Sequence, residues 1–170
     1  DGSGHTSNNQ GTSTQQGLIK NIDHVDQKAK MISWKIDVNK NGYLMKNWNL
    51  TDTLSPGLTL ERLIDFSIKD VTTGAILDQM VDYTISYENQ SKTEPSTIKV
   101  AFIGNYAETS DTFEIFYKTR FDTATLNEAG LSEFYNKAAS NWKSSDGMDM
   151  NISVEKPYKP SAEESADGFK

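Results

Sequence analysis

Short runs that alternate apolar and polar residues, each closed by a turn signal, fill this chain from about residue 18 to residue 155. In "MISWKIDVN", Ile32, Trp34, Ile36 and Val38 fall on one side, and Ser33, Lys35, Asp37 and Asn39 on the other. Successive side chains of a strand point to opposite faces, so this pattern buries one face and leaves the other wet. "NWNLTDTL" keeps Trp48, Leu50, Asp52 and Leu54 in phase, and "TFEIFYKTRF" does so for Phe113, Ile115, Tyr117 and Phe121. "STIKVAFIGNY", "FYNKAASNW" and "MDMNISVEK" read the same way, and "LIDFSIKDV" and "DYTISYEN" are shorter candidates around "TTG". "KNGY" and "SPG" supply turns. "TLNEAGLSEF" has the character of one short helical turn. Some eight or nine short strands with turns between them predict an all-β sandwich. No internal repeat is visible.

At 170 residues the chain suits one domain with tails. Residues 1–17 are rich in Gly, Ser, Thr, Asn and Gln without apolar periodicity, and read as a disordered linker or an expression remnant. Residues 18–155 form the predicted domain. Residues 156–170 contain proline and then acidic residues, and read as a linker towards a following domain. The formal net charge of −7 argues against a nucleic-acid backbone or an anionic membrane as partner. No apolar run is long enough to span a bilayer. The chain has no cysteine, which removes disulfides, thiolate zinc sites and cysteine nucleophiles together.

Several candidate chemistries are weak. "DVNKNGY" places Asp37, Asn39, Asn41 and Gly42 like the opening of a calcium loop, but the position for the closing carboxylate holds Trp48. A plain hairpin turn explains the segment better. His5 and His24 are the only histidines, and there is no G-x-S-x-G nucleophile elbow. Neither a metal site nor a hydrolytic triad is indicated, and no phosphate loop is present. Tyr43, Tyr83, Tyr87, Tyr106 and Trp142 could line a glycan or peptide groove, although in a sandwich most aromatics belong to the core.

Polar residues in apolar phase are more informative. In "SEFYNKAASNW" the row Phe134, Asn136, Ala138, Ser140, Trp142 carries an amide. Asp52 shares a face with Trp48, Leu50 and Leu54, and in "GLIKNIDHV" Lys20 shares one with Leu18 and Ile22. A lone buried carboxylate usually caps a turn and a lone lysine usually snorkels to water. An amine, an acid and an amide on three strands have a joint meaning. A neutral amine can attack an amide carbon and expel ammonia, leaving an isopeptide bond. Apolar burial favours the neutral amine and the neutral acid. A protonated acid can then hydrogen-bond and polarise the amide carbonyl, and shuttle protons. Folding holds the reactants together in a water-poor core. A buried ion pair hydrogen-bonded to an amide would use the same three residues. Lys28 and Lys30 compete for the amine role, but Lys30 lies at a strand edge beside polar sequence.

The segments "ISWKIDVN" (32–39), "NLTDTLSPGLTL" (49–60), "FEIFYKTRF" (113–121) and "FYNKA" (134–138) resemble the A-type domains of Gram-positive surface proteins, the collagen-adhesin kind. The resemblance covers roughly residues 18–155. It implies an immunoglobulin-like β-sandwich of two antiparallel sheets, extracellular and on the bacterial surface within a wall-anchored adhesin or pilin. It also implies a Lys–Asn cross-link, with Lys20 and Asn136 joined and Asp52 as the assisting acid, and no cofactor or metal. The implied partners are neighbouring domains of the same chain and a host matrix protein such as collagen. The role is structural or adhesive rather than enzymatic. A carbohydrate-active sandwich is the remaining alternative, and no carboxylate pair supports it.

Overall fold

The computed structural model describes residues 16–161. Of the linkers expected at residues 1–17 and 156–170, residues 1–15 and 162–170 lie outside the described residues, and Lys156, Pro157 and Tyr158 continue the last strand rather than a linker. Among the described residues there are eleven strands: β1 (Leu18–Asp26), β2 (Met31–Val38), β3 (Met45–Leu54), β4 (Leu58–Leu60), β5 (Ser67–Asp70), β6 (Tyr83–Glu88), β7 (Ser96–Phe102), β8 (Glu108–Thr109), β9 (Phe113–Phe121), β10 (Phe134–Lys143) and β11 (Asp149–Tyr158). One short helix, α1 (Thr123–Glu128), follows β9.

The strands form two antiparallel sheets. One has the order β1-β2-β9, with β4 and β5 lying in succession along the free edge of β9. The other has the order β11-β10-β3-β7-β6, with β8 beside the start of β3. The chain changes sheet between β2 and β3, β3 and β4, β5 and β6, β8 and β9, and β9 and β10. This is an all-β, immunoglobulin-like sandwich, as the alternation predicts. β1 lies beside β11 and so draws the two sheets together along one side.

The apolar phase of each long strand faces the interior. Ile32, Trp34, Ile36 and Val38 are buried, as are Phe113, Ile115, Tyr117 and Phe121. Trp48, Leu50 and Leu54 meet them from the other sheet. Phe66 stacks on Tyr117 with ring centroids 5.6 Å apart, and Phe102 meets Phe113 edge-on at 4.8 Å. Of the aromatics considered for a groove, Tyr83 and Trp142 are buried and only Tyr43 is largely exposed.

Three local features refine the sequence expectations. "LIDFSIKDV" is not one strand: a 3-10 turn at Leu63–Asp65 precedes β5. The Asn39 side chain is spent on the turn after β2, donating to the carbonyls of Tyr43 and Asp111 at 2.9 and 3.1 Å. The segment is therefore a turn whose amide is already committed to backbone. "SPG" carries the chain between sheets, with Gly57 at φ +89 and a Cβ there only 2.7 Å from the Phe134 ring. Only glycine fits that position. Ser55 clamps the same turn to β10, its N–H donating to the Tyr135 carbonyl and its Oγ accepting from the Tyr135 N–H.

Candidate functional site

The two sheets bring three sequence-selected residues into one cluster. Lys20 points inward from β1, opposite Ile36 in the ladder. Asp52 on β3 lies opposite Ala138 on β10, and Asn136 lies opposite Leu54, so acid and amide are diagonal neighbours on one inner face. Lys20 is 5% exposed, and Asp52 and Asn136 are 0% exposed.

The Lys20 ammonium donates to Oδ1 of Asp52 at 2.6 Å and to the Tyr117 hydroxyl at 2.9 Å. The Tyr117 hydroxyl donates in turn to Oδ2 of Asp52. Nδ2 of Asn136 donates to the same hydroxyl at 2.9 Å. The carbonyl oxygen of Asn136 has no hydrogen-bond partner. The sequence expectation placed the acid directly on that carbonyl. Instead, both oxygens of Asp52 are taken by Lys20 and Tyr117, and the phenol is the group that reaches the amide.

The walls are apolar and aromatic. The Lys20 ammonium sits 5.8 Å from the centre of the Trp34 ring and 5.5 Å from that of Tyr117. Such ring faces attract a cation without supplying the hydration it has lost. The Trp34 indole is held by a 2.9 Å bond to Thr119. Burial pushes the Lys20 ammonium below its ordinary value, against the pull of the Asp52 charge. Burial, and then the charge of Asp52, pushes Tyr117 well above the ordinary phenol value. An amine that gives up its proton readily therefore stands beside a phenol that keeps its own.

The competing lysines are elsewhere. Lys28 is exposed, and Lys30 lies in the turn after β1 at φ 58, its ammonium 5.8 Å from the Phe121 ring centre. His24 is exposed on β1, and His5 lies outside the described residues. Among the described residues there is no group of three or more His, Cys, Asp or Glu side chains that could hold a metal ion. No helix among them is long and apolar enough to cross a membrane.

Tyr117 escaped selection because a tyrosine in an apolar row looks like core. Its signal is available all the same, since a phenol in the middle of a fully buried central strand needs a polar partner. Asp70 escaped too. It shares a buried face with Phe66 and Ile68, which is the pattern that singled out Asp52.

A second feature is a shallow groove of about 270 Å³ on the outer face of the β3–β7–β6 sheet. Its floor and rims include Asn49, Thr51, Thr84, Ser86, Lys99 and Ala101.

Comparison with known proteins agrees with this architecture. ACE19, the collagen binding subdomain of the Enterococcus faecalis surface protein ACE, superposes with a TM-score of 0.63 at 14% identity, over 85% of this chain and 97% of that one. The collagen-binding domain from a Staphylococcus aureus adhesin gives 0.61 at 18% identity, again over 85% and 97%. A longer structure of Enterococcus faecalis ACE, described as binding its ligands by the collagen hug model, gives 0.62 at 15% identity; the match covers 84% of this chain but 50% of that one. No curated protein sequence matches significantly. The family model described as "Collagen binding domain" matches residues 16–151, and the chain belongs to that family.

Proposed function

We propose that this domain is a structural and adhesive unit of a wall-anchored Gram-positive surface protein, locked by an isopeptide bond between Lys20 and Asn136 with Asp52 as the assisting acid. One observation carries the reading: amine, carboxyl and amide meet in a single buried hydrogen-bonded cluster, with Lys20 2.6 Å from Asp52. Lys20 first passes a proton to Asp52. The freed lone pair then forms the Nζ–Cγ bond, and the carbonyl electrons move onto Oδ1 of Asn136. Nζ then gives up a second proton and Nδ2 gains one, so that when the carbonyl re-forms the Cγ–Nδ2 bond breaks and its electrons leave on nitrogen as ammonia. The chemistry is a single turnover within one chain and calls on no cofactor.

The bond would tie β1 of one sheet to β10 of the other. Tension entering at β1 would then pass covalently across the sandwich instead of through its hydrogen-bond ladders. Unlike a disulfide, such a tie is not reducible, which suits a cysteine-free extracellular stalk. By closing a loop of more than one hundred residues it should also stabilise the fold by about 4–5 kcal/mol, by analogy with disulfides. Intact mass tests the proposal. A deficit of one ammonia in the folded chain supports it, and a full mass overturns it.

Collagen binding is a second reading, favoured by the outer groove. A triple helix is a stiff extended rod that needs an open, shallow track with small side chains, and Thr51, Ser86 and Ala101 leave one. The longer ACE structure, about half of which this chain matches, suggests that a neighbouring domain completes such a site. In a solid-phase assay, immobilised collagen should retain the domain, or the domain with its neighbour. Ala101→Trp, which fills the groove, should weaken retention; equal retention by that variant removes the groove from the proposal.

A further inference from the structure

We propose that Tyr117 is a catalytic residue of the cross-link, the group that carries a proton from the attacking nitrogen of Lys20 to the departing nitrogen of Asn136. This rests on the isopeptide reading above and assigns a role that Asp52 cannot fill alone.

The geometry carries it. Two nitrogens must change their proton count in opposite directions. Nζ of Lys20 goes from three hydrogens to one, and Nδ2 of Asn136 goes from two to the three of ammonia. The Tyr117 hydroxyl is 2.9 Å from each of them. Asp52 reaches Nζ with Oδ1, but its other oxygen faces the phenol. A phenol has one proton and two lone pairs. Here the proton goes to Asp52 and the lone pairs accept from Lys20 and Asn136, so its hydrogen-bonding capacity is filled by the three reacting groups. Packing alone does not explain the hydroxyl, because a phenylalanine ring would stack on Phe66 equally well.

The proton balance closes. Asp52 takes the first proton from Nζ. Once neutral, it holds the phenol proton less strongly, and the hydroxyl can turn towards Nδ2. Attack forms the Nζ–Cγ bond and leaves a surplus proton on Nζ. The phenol oxygen accepts that proton while its own passes to Nδ2. The Cγ–Nδ2 bond then breaks and ammonia departs. Tyr117 ends as it began, Nζ retains one hydrogen, and the first proton rests on Asp52 until ammonia or water removes it. The raised pKa of the buried phenol supports this cycle, since Tyr117 begins it protonated.

The test is the rate of ammonia loss. Wild type, Tyr117→Phe and Asp52→Asn are made by cell-free translation and sampled over time by intact mass, with near-ultraviolet circular dichroism to establish native packing. A positioned proton-transfer group contributes about 100-fold or more, so Tyr117→Phe should lose ammonia at least about 100-fold more slowly than wild type while folding normally. Equal rates for the two leave the bond in place and overturn the role of Tyr117. A full mass in wild type overturns the bond and the tyrosine role together. Should Tyr117→Phe fail to fold, a fluorotyrosine placed at position 117 keeps ring and hydroxyl but changes the acidity of the phenol. A rate that shifts with that acidity supports the relay, and an unshifted rate overturns it.

Discussion

Two buried aspartates, each bonded to a tyrosine hydroxyl, sit in different neighbourhoods of this sandwich. Asp52 lies between the sheets, bonded by Tyr117 and by the Lys20 ammonium. Asp70 ends β5 and is equally sealed at 0% exposure. It accepts from the Tyr106 hydroxyl at 2.9 Å and the Thr73 N–H at 3.2 Å, and its further neighbour is a second acid, Asp111. Burial pushes Asp70 up, but the bonds from Asp111, Tyr106 and Thr73 outweigh it and hold Asp70 low. Asp111 is pushed up to about 6, first by its bond to Asp70, then by burial and by the Asp70 charge. The same acid–phenol unit thus has two outcomes. Beside an amine and an amide it has the partners that the proposed bond formation requires. Beside another acid it instead raises the pKa of that neighbour, at the junction between the end of β5 and the start of β9.

Substitutions separate the two clusters. The largest effect belongs to Asp52→Ala, which should abolish the ammonia deficit and lower the thermal midpoint by roughly 10–20 °C through loss of the covalent loop. A variant that keeps the mass deficit would remove Asp52 from the chemistry. Tyr106→Phe should leave the mass deficit untouched and cost about 1–2 kcal/mol in denaturant unfolding, since it takes a hydrogen bond from a buried carboxylate. Any change in cross-linking would show that the two clusters are coupled.

An effect of similar size is a pH dependence. Asp111 is raised in the fold from an ordinary 3.8 to about 6. Its contribution is therefore full below the unfolded value and is lost as pH rises through about 6. Asp70 runs the opposite way: it is lowered, so its contribution is present above the unfolded value and fades as pH falls through the folded one. Between pH 4.5 and 7 the ionisation of Asp111 should cost about 1–2 kcal/mol after discounting for solvent screening. Asp111→Asn, which can still donate to Asp70 but does not titrate, should flatten this part of the profile. Denaturant midpoints at the two pH values check it, and an unaltered slope would assign the dependence to other groups.

Much of this architecture is legible in the sequence because period-two alternation is imposed residue by residue. β2, β3, β9 and β10 each bury the row that their alternation marks. β1 is less regular because its ladder shifts register between Ile22 and His24, so the phase that holds at Leu18 and Lys20 does not continue. β4 and β8, with three and two residues, are too short to show a period at all. Their partners, β9 and β3, define them. The 3-10 turn before β5 is likewise set by its surroundings, since Ile64, Phe66 and Ile68 keep the period of two straight through it.

By itself the sequence determined the long strands β2, β3, β9 and β10, the face that each of them buries, and that Lys20, Asp52 and Asn136 stand in apolar phase. Those properties follow from local alternation and the cost of wetting apolar surface. Only the tertiary structure decided that the three inward rows converge, since β1 and β10 belong to different sheets and register across a sandwich depends on how two twisted sheets stack. It also decided that a phenol stands between acid and amide. A hydroxyl on an apolar row contributes nothing to alternation, and its chemistry emerges when folding brings three polar groups within hydrogen-bonding distance of it.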